Sequence, residues 1–123
     1  MHTILICDDD KDIVSALDIY LSSEGYKTVK AYNGNEALRA VEQNDIHLIL
    51  MDIMMPVMNG LAAAKAIRAL ARPDAGTIPI IALTANAFSE DVQKCLDAGM
   101  NAHIAKPLDV NAMEETLKSV LDR

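Results

Sequence analysis

Four places in this 123-residue chain carry side chains that could together do phosphoryl chemistry. Asp8, Asp9 and Asp10 follow the apolar run Ile4–Cys7, and Asp52 follows the apolar run Leu48–Met51. Thr84 follows Ile78–Leu83, and Lys106 follows Ala102–Ala105. Carboxylates held close together repel one another, and a cation is the natural remedy. Oxygen ligands select a hard ion, and Mg2+ suits a few carboxylates with waters and a phosphoryl oxygen. A carboxylate can also be a nucleophile that forms an aspartyl phosphate. Such a transfer then needs mainly positioning and charge neutralisation. Lys106 supplies a positive charge, and Thr84 a hydroxyl able to bond a phosphoryl oxygen.

Taken singly, each residue has a plainer role. Asp10, just ahead of a helical stretch, is expected to be a helix cap. Thr84 alone could cap a turn, and Lys106 alone could be a solvated charge. The case lies in their conjunction at four successive strand ends. Cation binding without phosphoryl transfer leaves Lys106 unexplained, because a lysine beside a metal is unfavourable unless an anion joins them. His2, His47 and His103 show no metal-ligand spacing. Cys7 and Cys95 lie far apart in apolar contexts and are expected to be free, buried thiols.

The elements that must position these groups follow from periodicity. Short apolar runs predict strands at Ile4–Cys7, Leu48–Met51, Ile78–Leu83 and Ala102–Ala105, and alternating polarity predicts one at Thr28–Tyr32, with Pro79 tolerable only at a strand's beginning. Helical stripes alternate with them. The first is Ile13, Ala16, Leu17, Tyr20 and Leu21; the second Ala37, Leu38 and Val41; the third Ala63, Ala66, Ile67 and Leu70. Val92, Cys95 and Leu96 mark the fourth, and Met113, Leu117, Val120 and Leu121 the last. Gly25 and Gly99 are expected to end the first and fourth helices, and Pro56–Gly60 to form a loop. Strict βα alternation implies a parallel sheet covered on both faces. Wholly apolar strands belong in its middle, whereas Thr28, Lys30 and His103 send the second and fifth strands to the edges. The expected architecture is a flavodoxin-like (βα)5 doubly wound sheet of order 2-1-3-4-5, one domain over residues 1–123. Its switch point lies between strands one and three, where the aspartates gather.

Composition narrows the function classes. Eleven basic against eighteen acidic residues give a net charge of -7, which disfavours nucleic acid as a direct partner. No apolar run approaches the ~18 residues of a transmembrane helix, and no signal-peptide pattern opens the chain, so no direct membrane contact is expected and the chain reads as cytoplasmic. Hydrophobic residues make up 51% and aromatics 3%, so the core must be aliphatic.

The motifs Ile4-Leu5-Ile6-Cys7-Asp8-Asp9-Asp10, Met51-Asp52-Ile53-Met54-Met55-Pro56-Val57-Met58-Asn59-Gly60, Ala82-Leu83-Thr84-Ala85 and Lys106-Pro107 resemble those of response-regulator receiver domains. The likeness spans the whole chain. It implies that Asp52 is the phosphoacceptor, that Asp9 and Asp52 ligate Mg2+ directly, and that Asp8 helps through water and Met54 by its backbone carbonyl. Thr84, Lys106 and the Ala85 backbone N–H would hold the phosphoryl group, and the domain would catalyse its own phosphorylation and dephosphorylation. The resemblance also implies a switch in which Thr84 moves and an aromatic residue of strand five turns inward; that position here is His103. A cis Lys106–Pro107 bond is implied as well. Finer features, Pro79–Ala87 and Ala98-Gly99-Met100-Asn101-Ala102, resemble receivers of hybrid sensor histidine kinases, which would make the chain one domain of a longer protein with its kinase elsewhere and would allow a membrane anchor in that protein. A free-standing single-domain response regulator is the alternative.

The expected partner is a histidine-containing phosphodonor or phosphotransfer domain, with output by protein contact or relay. Val14 falls off the expected stripe of the first helix and is expected to be exposed. With Ile13, Pro107 and Leu108 it would form a small apolar dock. Three other classes compete. A haloacid-dehalogenase-like phosphatase would use the Asp-x-Asp of Asp8–Asp10, but only Asp109 stands in for its later acidic pair. A flavodoxin-type FMN carrier needs a Ser/Thr/Gly-rich phosphate loop and aromatic walls, neither of which the sequence offers. A degenerate receiver would have no reason to keep Asp8, Asp9, Asp52, Thr84 and Lys106 together.

Overall fold

The computed structural model describes residues 2–55, 58–70, 76–84, 89–105 and 110–121, with the backbone alone for 89–92, 110 and 121. Five strands alternate with five helices: β1 (Thr3–Cys7), α1 (Lys11–Ser23), β2 (Lys27–Ala31), α2 (Gly34–Gln43), β3 (Leu48–Asp52), α3 (Gly60–Arg68), β4 (Ile80–Thr84), α4 (Ser89–Asp97), β5 (Ala102–Ala105) and α5 (Val110–Leu121). All strand pairs are parallel, and the sheet order is β2-β1-β3-β4-β5, as the patterning predicts.

The sheet divides the core in two. Strand side chains alternate between faces, so Ile4, Ile6, Leu48, Leu50, Ile81 and Leu83 meet Val14, Leu17 and Leu21 of α1 and Met113 and Leu117 of α5. Leu5, Cys7, Ile49, Met51, Ile80 and Ala82 meet α2, α3 and α4 on the other face. β3 and β4 are buried at every position, which is why their sequences show no alternation. Tyr20, Tyr26 and Tyr32 all pack, half-buried, against the α1/α5 half of the core. No helix among the described residues is long and apolar enough to cross a membrane.

Helix ends follow local chemistry. Asp10 caps α1, its Oδ1 accepting from the N–H groups of Asp12 (3.0 Å) and Ile13 (3.4 Å). Asn33 caps α2 in the same way, accepting from Glu36 at 2.9 Å while the Glu36 carboxylate reaches back to the Tyr32 N–H at 2.9 Å. Gly25 and Gly99 adopt φ of 90° and 96°, which suits glycine and ends α1 and α4. Gly99 also makes room for Arg68 from α3. The Arg68 guanidinium donates to Gly99 O (3.0 and 2.7 Å), Ile78 O (2.7 Å) and Asn101 Oδ1 (2.8 Å). Burial lowers Arg68 below the ordinary guanidinium value, yet an arginine still stays charged at neutral pH. It thereby ties α3 to the entries of β4 and β5.

Several expectations need correction. Val14 is buried at 1% exposure, not exposed, and Ala16 faces solvent in its place. The inward stripe of α1 is Val14, Leu17 and Leu21, rotated by one residue, with Ile13 and Tyr20 on its flank. Leu96 is exposed, because Cys95 and Ala98 take the inward positions at the end of α4. In α3 the buried stripe is Ala63, Ala64 and Ile67; Ala66 is only half-buried, and Leu70 lies beyond the helix end. Gly60 opens α3 rather than closing a loop, β2 stops at Ala31, and β4 begins at Ile80, so Pro79 stands just before the strand.

Candidate functional site

Register brings the carboxylates together. Cys7 pairs with Met51 in the parallel β1–β3 ladder, so the next residues, Asp8 and Asp52, reach the same rim side by side. Asp52 in turn pairs with Leu83, which sets Thr84 one step further along β4. Asp8 is fully buried, Asp52 is 3% exposed, and Asp9 is exposed. One carboxylate oxygen from each of Asp8, Asp9 and Asp52 lies within 4.8 Å of the other two.

Short local bonds hold this geometry. The Asp8 N–H donates to Ala31 O at 3.2 Å, extending the β1–β2 pairing to the rim, and Asp8 Oδ1 accepts from the Asp10 N–H at 2.9 Å. Asp52 Oδ1 accepts from the Met54 N–H at 3.1 Å, and the Ile53 N–H donates to Leu83 O at 3.2 Å. The chain then folds back, with the Gly60 N–H donating to Ile53 O at 3.3 Å and Asn59 capping α3 through Ala62 N at 2.9 Å. A Cβ on Gly60 would collide with the backbone carbonyl oxygen of Asp52 and come within 2.8 Å of Ile53 Cα. Only glycine lets α3 start so close to Asp52.

Thr84 is 1% exposed, and its Oγ1 has no hydrogen-bond partner among the described residues. A buried hydroxyl left this way calls for a reason. Beneath the aspartates lies Cys7, whose Sγ–H donates to Asn33 O at 3.4 Å and sits 3.5 Å from Met55 Sδ. Burial first, then the neighbouring carboxylates of Asp8 and Asp52, push the Cys7 thiol up to about 12. It is a neutral apolar floor for the site. Cys7 and Cys95 are both free and buried, as expected.

The structure therefore unites Asp8, Asp9, Asp52 and Thr84 at one rim. The Met54 side chain stands 72% exposed next to them. His103 is exposed on edge strand β5. Ile13 is half-buried near the start of α1, and the buried Val14 offers no side chain to a docking partner. Lys106, Ala85, Pro107 and Leu108 lie outside the described residues. Sequence reading missed the role of Gly60 and the floor formed by Cys7 and Met55. The only signal for the first was the Asn59-Gly60 pair, and the second depends on contacts between residues 48 apart.

An arrangement of three converging oxygens with two carboxylates buried fits a hard divalent cation. Comparison with known proteins accords with it. Residues 4–118 match the response regulator receiver domain. Sensor histidine kinase RcsC of Salmonella typhi is 35% identical over 120 residues, covering 98% of this chain and 12% of that protein. Transcriptional regulatory protein ZraR of Salmonella typhimurium is 37% identical over 118 residues, covering 96% of this chain and 26% of that protein. The chain thus spans a small part of each relative's length. Among solved structures, the receiver domain of sensor histidine kinase PA1611 from Pseudomonas aeruginosa PAO1 superposes with a TM-score of 0.89 at 34% identity. The match covers 99% of this chain and 98% of that one, and that structure has a magnesium ion coordinated in its active-site cleft. The fold, the acidic rim and these relatives lead to one conclusion: the chain belongs to the response regulator receiver domain family and is a receiver domain of two-component signalling.

Proposed function

We propose that Asp52 accepts a phosphoryl group from a histidine of a partner domain, in a reaction that requires Mg2+. The observation that supports this reading best is the convergence of Asp8, Asp9 and Asp52 within 4.8 Å, with the buried Thr84 hydroxyl, which has no partner among the described residues, at the same rim. Asp9 and Asp52 would hold the cation directly, Asp8 through water, and Met54 through its backbone carbonyl. When bound, it neutralises charge on the transferring phosphoryl oxygens.

The remaining work falls to the protein's own groups. The Met54 N–H fixes one oxygen of Asp52. A carboxylate oxygen of Asp52 attacks the phosphorus of a phosphohistidine; the O–P bond forms as the P–N bond breaks, and the imidazole keeps the electron pair and takes up a proton. The Thr84 hydroxyl donates to a phosphoryl oxygen, and the Lys106 ammonium and Ala85 N–H complete the cradle. Water later attacks the acyl phosphate and returns Asp52 to a carboxylate. Thr84 and His103 would carry the switch, and output would pass by protein contact or by relay to another histidine. The likeness to sensor-kinase receivers favours a domain of a hybrid sensor histidine kinase over a free-standing regulator. The partner would approach the rim at the start of α1, where Ile13 remains partly accessible.

The test uses acetyl phosphate with Mg2+ and intact-protein mass spectrometry. The native chain should gain one alkali-labile phosphoryl group, and Asp52→Ala none. Labelling of Asp52→Ala with loss in Asp8→Ala would instead favour the phosphatase-type nucleophile at Asp8.

A further inference from the structure

Among the described methionines, Met54 stands apart. Met51, Met55, Met100 and Met113 are buried, and Met58 is half-buried against the core. Met54 alone among the described methionines is mostly exposed, at 72%. It opens onto a cleft of about 300 Å³ lined also by Ile53, Met55 and Asn59, large enough for a small oxidant to reach the sulfur. Its own backbone N–H holds Asp52 Oδ1 at 3.1 Å. The most accessible thioether of the described structure is thus covalently two residues from the proposed phosphoacceptor.

We propose that Met54 is a site of reversible oxidation by peroxides, and that its sulfoxide shortens the lifetime of the phosphate on Asp52. The second half rests on the reading of Asp52 as phosphoacceptor. In the oxidation step the Met54 sulfur attacks one peroxide oxygen; the S–O bond forms, the O–O bond breaks, and the leaving hydroxide takes a proton to become water. Sulfur loses two electrons and peroxide gains them. A flexible apolar side chain becomes a polar one carrying a strong hydrogen-bond acceptor, and methionine sulfoxide reductases reverse the change. The thioether is only a weak hydrogen-bond acceptor and gives water little hold at the face of Asp52 beside it. The sulfoxide oxygen instead offers a hydrogen bond to a water at that face, where the acyl phosphate is hydrolysed.

Two measurements on the intact chain test this. After limited hydrogen peroxide treatment, peptide mass spectrometry should find oxygen at Met54 well before Met51, Met55, Met58, Met100 or Met113. Equal rates across these residues would overturn the site. Protein labelled with acetyl phosphate should then lose its phosphate faster after oxidation by roughly tenfold, the scale of one hydrogen bond to the attacking water. A sulfoxide reductase should restore the original rate, and the decay rate of Met54→Leu should not respond to peroxide. Unchanged decay in protein oxidised at Met54, or an equal response in Met54→Leu, would overturn the link to phosphate lifetime. Failure of the reduced chain to take any label would overturn the phosphoacceptor reading and that link together, while the mapping of oxygen to Met54 would stand or fall separately.

Discussion

The two rims of the sheet treat their polar groups in opposite ways. At the entries to β4 and β5, one guanidinium satisfies Gly99 O, Ile78 O and Asn101 Oδ1, and Asn101 Oδ1 also accepts from the Ile80 N–H at 3.0 Å. At the opposite rim, Asp8, Asp9 and Asp52 crowd together, and the buried Thr84 hydroxyl has no partner among the described residues. Satisfied buried groups contribute to stability, while unsatisfied ones cost free energy until a ligand answers them. The fold thus gathers paired polar groups at one end and a crowded acidic rim at the other. Substitutions at the two ends should have opposite signatures.

The largest effect on stability is expected from Arg68→Ala. It strips a charged donor from three acceptors and should cost about 3 kcal/mol in urea unfolding, with Arg68→Lys recovering only part because an ammonium cannot reproduce the fork. A loss below about 1 kcal/mol would break the contrast. Next comes the ligand response. At tenfold above its dissociation constant, Mg2+ should stabilise the native chain by about 1.4 kcal/mol, a rise of roughly 5 °C in Tm for a domain of this size. Asp9→Ala should show little of that rise, and an equal rise in both would remove the proposed cation site. Thr84→Val should be smaller still. Removing a hydroxyl that has no partner among the described residues should leave apo stability within about 1 kcal/mol of native, while acetyl phosphate labelling slows. A larger destabilisation would show that the hydroxyl is satisfied after all.

The smallest effect belongs to neither rim. Asp18, on the flank of α1, is held below the ordinary carboxylate range by the Thr28 hydroxyl, then by Lys30 (3.0 Å) and the Ser22 hydroxyl. A depressed carboxylate contributes stability that is present above its unfolded value and lost as pH falls through its folded one. Asp18→Asn should therefore be slightly less stable than native at neutral pH. The gap should close in strong acid, as followed by thermal melts across pH; a gap that persists there would rule out the ionised form as its source.

Sheet order and helix number were legible because they rest on polarity repeating every two or three to four residues, a signal many side chains share. The site was legible to the extent that strand ends carry it, as Asp8, Asp52 and Thr84 do. The facing of α1 was not. Ile13, Val14, Ala16 and Leu17 are all apolar, so two stripes one residue apart fit the pattern equally well, and packing against β1 and β3 chose Val14 over Ala16. Leu96 fails for a similar reason, since Cys95 and Ala98 suffice to cover that end of the sheet. The Arg68 clasp could not be read at all, because it joins an exposed-looking arginine to backbone carbonyls 10 and 31 residues away.

The placement of the tyrosines sets what optical spectroscopy can see. The chain has no tryptophan, and Tyr20, Tyr26 and Tyr32 all lie on the α1/α5 side of the sheet. Intrinsic fluorescence and near-ultraviolet dichroism would therefore report loosening of that half of the core while staying largely silent about the α2/α3/α4 half. Of the three, Tyr32 has the Lys11 ammonium 5.7 Å from its ring centroid, and Lys11 follows the aspartates of the rim directly. An emission change on adding Mg2+ would accordingly be traced to this one ring, and Tyr32→Phe would make the titration optically dark without touching a carboxylate.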